Sequence, residues 1–248
     1  MILSRIIHHL KTQNWTAIAI EFVIVVAGVV IGFQVTAWNE TRQERALEYR
    51  YIERIIAALD SDIVEFGEAV DLAAERGAQI RLIIEAASAT GDVIDEPTPF
   101  LRSITTAGYT YTASVDRIAF DEMIAVGDIA IIRSETLRAR IAEYYQSVAA
   151  TAQWNYLREN TQTNYYERRA GILTPEQERL WQSLDAPEAL SDTDVAEALV
   201  RIRARPDYVE WLPIVEAWQA FSESYAQAAI ERGEALRALL RAELERLQ

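Results

Sequence analysis

Residues that could do chemistry are few in this sequence, and their spacing does not suit a catalytic site. The chain has no cysteine and only two histidines, His8 and His9, which are adjacent and point to different sides of a helix. Asp121 and Glu122 are adjacent too, so their carboxyl groups diverge; a pair assembled from distant helices is the alternative. We therefore predict no catalytic residues, no metal ligands and no cofactor, and we expect the protein not to be an enzyme.

Glu21 is the one ionisable residue in the apolar run between Trp15 and Trp38. That run is roughly 33 Å long as a helix, close to the thickness of a bilayer's hydrocarbon core. We predict a transmembrane helix over residues 15–38, with Trp15 and Trp38 as interfacial anchors. A cleavable signal peptide is the alternative, but the apolar run is too long for one and no small-x-small site precedes a mature start.

Four residues of this span share one face. At about 100° per residue, Glu21, Val25, Gly28 and Gly32 form a stripe, and the two glycines make a G-x-x-x-G pair that allows a second helix to approach closely. Glu21 then has three possible roles: a hydrogen bond or ion pair with a partner helix, proton transfer, or snorkelling to the interface. The stripe predicts a homo-oligomer or another membrane protein as partner, besides the lipid bilayer itself.

The charged residues on either side of the span bear on its orientation in the membrane. Residues 1–14 hold Arg5, Lys11 and no acid, and their apolar residues have helical spacing, as in a short interfacial tail. Arginines after the span, such as Arg42 and Arg45, outnumber these basic residues, which alone would place the C-terminal side in the cytoplasm. Each has an acid close by, however, and large domains can translocate regardless of flanking charge. We expect the domain after the span to face the periplasm.

The segment from Glu21 to Arg42 resembles the start of a family of uncharacterised bacterial inner-membrane proteins. The shared features are the acid Glu21 opening the span, Gly28 in its middle, Gln34 near its end and the exit Trp38-Asn-Glu-Thr-Arg42. The chain has Ala37 where such members commonly have asparagine, and a weaker likeness covers residues 120–145. The resemblance implies a single-pass protein of the bacterial inner membrane, and it supplies no activity.

The rest of the chain, residues 39–248, predicts a water-soluble all-α domain. Glycine and proline are scarce, at nine and six, and apolar residues recur at helical spacing in three long helices, about 39–90, 134–168 and 206–246. The first continues the span and carries a heptad stripe typical of a coiled coil or an elongated helical bundle. The formal charge of -14 argues against nucleic acid as a partner.

Aromatic residues are concentrated in the C-terminal half, among them Trp154, Tyr165 and Trp218. We expect them to be ordinary core residues; a ligand pocket between helices is the alternative. The sequence therefore predicts a membrane-anchored helical scaffold or accessory protein that self-associates or joins a membrane complex. The two alternatives are a periplasmic ligand-sensing bundle that needs a signalling partner and an ion-coupled membrane subunit that uses Glu21.

Overall fold

The computed structural model describes residues 15–90, 94, 97–149, 154–180 and 191–247, without the side chains of residues 15–19, 21, 128 and 180. The expected tail over residues 1–14 lies outside the described residues. Within them the fold is all-α, as the sequence predicts, with no strand. The helices are α1 (Trp15–Ser88), α2 (Pro97–Thr106), α3 (Ile118–Ala125), α4 (Glu135–Ala149), α5 (Asn155–Arg169), α6 (Pro175–Leu180), α7 (Asp192–Arg203), α8 (Pro206–Val209) and α9 (Leu212–Leu247), with a 3-10 turn at Asp128–Ile131.

Helix α1 is unbroken over 74 residues and is therefore about 111 Å long. No proline interrupts it, and the segment after Ser88 ends it before Pro97. The apolar run and the predicted first helix of the domain are thus one continuous helix. Packing against the rest of the chain begins near Glu44, which pairs with Arg133 at 3.4 Å, and Leu47, which lies against the first core. Helix α1 is therefore exposed in its first part and is the longest helix of the bundle in its second part.

Helix α9 packs antiparallel along the buried part of α1. Arg81 pairs with Glu216 at 3.1 Å near one end, and Arg237 pairs with Asp60 at 2.7 Å further down. The close approach between them occurs at Gly233, where an added Cβ would lie 3.3 Å from Cγ1 of Ile63. The end of α9 therefore returns towards the middle of α1.

The last long helix begins at Leu212, later than the start near 206 that the sequence indicated. Pro206 opens the separate turn α8 instead, and Pro213 takes a first-turn position of α9. Proline is tolerated there because first-turn N–H groups have no partner within the helix. In the region expected to form one helix over 134–168, the described residues form two, α4 and α5, on either side of residues 150–153.

Two apolar cores lie along α1. The first core holds its section from Tyr51 to Ala69, packed against α3, α4 and the second half of α9. The second core holds the section from Ile80 to Ala86, packed against α2, α7 and the start of α9. Each core buries one face of α1, so the bundle is stabilised by apolar burial along about half of the helix.

A non-helical segment, residues 109–117, crosses between the two cores and is held by side chains from distant helices. Gln219 is buried and donates through Nε2 to the carbonyl oxygens of Ala107 at 3.2 Å and Tyr109 at 3.0 Å. Asp62 accepts the backbone N–H of Asp116 at 2.8 Å. These bonds satisfy backbone groups that no helix or sheet provides for.

Candidate functional site

The predicted stripe Glu21, Val25, Gly28 and Gly32 lies in the first third of α1. The side chain of Glu21 lies outside the described residues, so its hydrogen bonding stays a prediction. Val25 is 64% exposed, and a Cβ added at Gly28 or Gly32 would meet no atom within 4 Å. Nothing in the described part of this chain covers the stripe, which is free to receive another helix.

The rest of this section of α1 is apolar and exposed on every side. The consecutive side chains Phe22 at 69%, Val23 at 62% and Ile24 at 63% are all exposed, and they point in directions about 100° apart around the helix. Among the described residues, α1 is the one helix long and apolar enough to cross a membrane. A surface of this size exposed to water would be exceptional for a soluble protein.

The end of the apolar run has its own contacts. Trp38 is 65% exposed, and the Arg42 guanidinium lies 5.8 Å from the centre of its ring. The hydroxyls of Thr36 and Thr41 donate to carbonyl oxygens one turn earlier, Gly32 and Ala37, at 3.1 and 2.9 Å. These two hydroxyls are therefore satisfied within the helix. The helix reaches Trp15 at its other end, but that side chain lies outside the described residues.

The aromatic residues of the C-terminal half divide between core and surface. Tyr165 is fully buried and donates its hydroxyl to the carbonyl oxygen of Ile104 at 2.8 Å. Trp154 and Tyr156 are 37% and 74% exposed, so the expectation that they are core residues is wrong. Trp218 is half-buried beside a cavity instead of central to a core. Trp181 lies outside the described residues.

That cavity lies beside the first core, between α1, α5, α9 and the non-helical segment 109–117. We call it the seam pocket: it is lined by Phe66, Tyr109, Trp154, Arg158, Trp218 and Phe221, among others. The sequence analysis missed it because Trp218 was expected to be an ordinary core residue. The face that contacts α1 is formed instead by smaller or polar residues such as Gln219, Ala226 and Gly233. These small residues were the signal in the sequence, since close helix packing selects them.

A comparison of the sequence with known protein families finds a match. The family described as "Family of unknown function (DUF6090)" matches residues 21–197. The chain belongs to this family. The prediction of membership in an uncharacterised family is therefore confirmed. No curated protein and no solved structure matches the chain.

The region that matches DUF6090 covers only part of the folded bundle. It begins at Glu21, the first residue of the predicted stripe, and ends within α7. Helix α9 follows the DUF6090 region, although it packs along α1 and contributes to both cores. The seam pocket likewise combines DUF6090 residues such as Trp154 and Arg158 with Trp218 and Phe221 of α9.

Proposed function

We propose that this DUF6090 protein is a single-pass protein of the bacterial inner membrane that acts as a helical scaffold or accessory protein. The observation that carries the proposal is the contrast along α1. Residues Phe22 to Trp38 are exposed on all sides and apolar, whereas the residues beyond Leu47 are packed in the bundle. Lipid is the solvent that makes the exposed section stable, with Trp15 and Trp38 as interfacial anchors.

The protein acts by packing and not by catalysis. Gly28 and Gly32 remove side-chain bulk from one face of the span, and Glu21 supplies a hydrogen-bonding group on that face. A carboxyl group at this depth is most stable when a partner helix satisfies it. The stripe Glu21, Val25, Gly28 and Gly32 therefore joins either a second copy or another membrane protein, with the helical domain facing the periplasm.

The test is the mass of the full chain in mild detergent. Gly28→Ile with Gly32→Ile should reduce an oligomer to the monomer, because isoleucine keeps the helices apart. Ala27→Ile with Val30→Ile is the matched control on the opposite face, roughly 180–240° away from the stripe, and should leave the mass unchanged. An oligomer that survives the glycine replacements would contradict self-association through this face. Co-purification from native membranes, lost in the glycine variant alone, would identify a different partner.

Glu21→Gln separates a hydrogen bond from proton transfer. Glutamine keeps a donor and an acceptor at the same place, so the oligomer should persist. Association that is unchanged together with loss of a proton-coupled activity of the complex would favour the ion-coupled alternative.

The orientation has a direct test because the chain has no cysteine. Ser88→Cys places a single thiol at the exposed end of α1, far from the span. A membrane-impermeant maleimide added to intact spheroplasts should label it if the domain is periplasmic. Labelling only after lysis would place the domain in the cytoplasm.

A further inference from the structure

The seam pocket has walls that are suited to a flat ligand. The rings of Trp154 and Trp218 lie 5.4 and 5.5 Å from the ring of Phe221, measured between centroids, and Phe221 continues to Tyr225 at 6.5 Å. Trp154 and Phe221 are still 37% and 41% exposed. These aromatic surfaces are gathered around a cavity without closing it, which is how small-molecule sites between helices are built.

The polar groups that have partners here are engaged with the protein itself. Tyr111 donates its hydroxyl to Glu65 at 2.6 Å, which raises the pKa of Tyr111 to about 12. The amide nitrogen of Gln219 is occupied by two backbone carbonyl groups. Both groups therefore stabilise the wall of the pocket, and recognition of a ligand depends on other residues.

Arg158 brings a positive charge to the wall of the cavity, and its side chain is 26% exposed. Its Nε and the Nε1 of Trp218 make no hydrogen bond within the described part of the chain, but both atoms are fully buried and face no open space. The ion pair of Arg158 with Glu159 is loose, at 3.4 Å, and Glu159 is 68% exposed. The end of the Arg158 guanidinium is therefore the group that can meet a ligand, and its best complement is a negatively charged oxygen.

The size of the cavity limits the ligand. Its volume is about 70 Å³, whereas a closed apolar cavity of about 150 Å³ holds a benzene molecule. A single ring can therefore be only partly enclosed, with its other edge against the exposed faces of Trp154 and Phe221. A polycyclic ligand would not enter without moving the helices.

We infer that the seam pocket binds a small monocyclic aromatic carboxylate. The ring lies among Trp154, Trp218 and Phe221, and the carboxylate accepts hydrogen bonds from the Arg158 guanidinium. The positive charge of Arg158 selects an anion even though the chain as a whole carries -14. Because the pocket is lined by residues of both α1 and α9, an occupied site also stiffens the bundle. This inference does not depend on how the span associates.

The test is equilibrium dialysis of the full chain in lipid nanodiscs against three probes that share one ring. Phenylacetate is the anion, phenylacetamide its neutral counterpart and phenethylamine the cation, with empty nanodiscs as the blank. We expect one phenylacetate per chain, bound about tenfold more tightly than the amide, because a charge-assisted hydrogen bond is stronger than a neutral one. Retention of the amine should equal the blank.

Variants separate the charge from the aromatic wall. Arg158→Gln should lower phenylacetate binding to the level of the amide without changing amide binding, and Phe221→Ala should weaken both. Arg140→Gln is the matched control, since Arg140 also pairs with a nearby exposed glutamate, Glu143, but lies outside the pocket. Equal retention of all three probes by the native chain, or unchanged phenylacetate binding in Arg158→Gln with native circular dichroism, would overturn the inference.

Discussion

Asp62 is a carboxyl group enclosed in the first core, at 1% exposure. Its two oxygens accept the Asp116 N–H and the Tyr144 hydroxyl, each at 2.8 Å. Burial is the largest effect on this group and raises the pKa of Asp62, while the two hydrogen bonds oppose the shift. The carboxyl therefore ties a distant non-helical segment to α1 at a cost in desolvation.

Two replacements of Asp62 should separate the gain from its hydrogen bonds from the cost of burying its carboxyl group. Asp62→Ala leaves a buried N–H and a buried hydroxyl without an acceptor, so it should lower the free energy of unfolding by about 2–4 kcal/mol. Asp62→Asn keeps an acceptor for Asp116, and its amide can donate to Tyr144, so it should cost much less. Thermal unfolding of the full chain in detergent, followed by circular dichroism, measures both.

The same residue gives a pH dependence with a defined sign. Since the pKa of Asp62 is higher in the folded state, the fold binds this proton more tightly than the unfolded chain does. Its contribution to stability is complete below the ordinary carboxyl pKa and is lost as pH rises through the folded pKa. Asp194 contributes in the opposite direction, because the N–H of Ser191 lowers its pKa. The difference in melting temperature between Asp62→Asn and the native chain should therefore favour the variant more at pH 7 than at pH 4; a constant difference would contradict this account.

Gly108 is required by its neighbour and not by its backbone angles. A Cβ at this position would lie 2.0 Å from Cδ1 of Tyr165, a ring that is fully buried and hydrogen-bonded. Gly108→Ala should therefore destabilise the protein by about 2 kcal/mol or more, as overpacking of a core does. Gly67→Ala is the control: its Cβ meets nothing within 4 Å, and alanine favours the helix, so stability should rise by roughly 0.5–1 kcal/mol. Chemical denaturation of both variants checks the sign.

Some helix ends can be predicted from the sequence because their signals are local. Thr174 and Gln177 exchange hydrogen bonds at the start of α6, and Ser191 and Asp194 do the same at α7. Gly127 and Gly171 have positive φ angles two residues after the ends of α3 and α5. These features depend on residues within about four positions, a distance that a sequence pattern covers.

Hydrogen bonds between residues far apart in the sequence could not be predicted in the same way. Nothing near residue 109 indicates that Gln219 will bind its carbonyl oxygen, because the two are 110 positions apart. The aromatic residues of the C-terminal half were expected in the core, whereas a neighbouring stripe with small residues such as Ala226 and Gly233 is the buried face of α9. Packing against α1 selected the small residues, and the aromatic residues were left to form the seam pocket.

The contribution of the Gln219 hydrogen bonds to the free energy of unfolding can be measured by substitution. Gln219→Leu should fill the same volume but leave two buried carbonyl groups without a donor, which should cost about 2–4 kcal/mol. Ser222→Ala, which removes a hydroxyl bonded only to its own helix, should cost less than 1 kcal/mol. Equal effects in thermal unfolding would show that Gln219 does not hold this segment.

At the scale of the whole molecule, the antiparallel packing of α1 and α9 places the two ends of the bundle at different distances from the proposed span. Ser88 follows Trp38 by 50 helical positions, about 75 Å, whereas the end of α9 lies beside the section of α1 near Leu47. Single thiols at Glu245→Cys and Ser88→Cys, labelled with a donor dye, should therefore differ strongly in energy transfer to acceptor lipids in nanodiscs. Efficient transfer from Glu245 and almost none from Ser88 is expected; similar transfer from both would mean that the bundle lies flat on the bilayer.

The unbroken course of α1 has a mechanical consequence. In the membrane arrangement that we propose, α1 has no break where it leaves the bilayer, so the bundle must lean whenever the span leans. A tilt of about 20°, ordinary for a transmembrane helix, would move the far end of the bundle sideways by roughly 25 Å. A thinner or thicker bilayer, which changes the tilt, would thereby change the positions that this far end can reach.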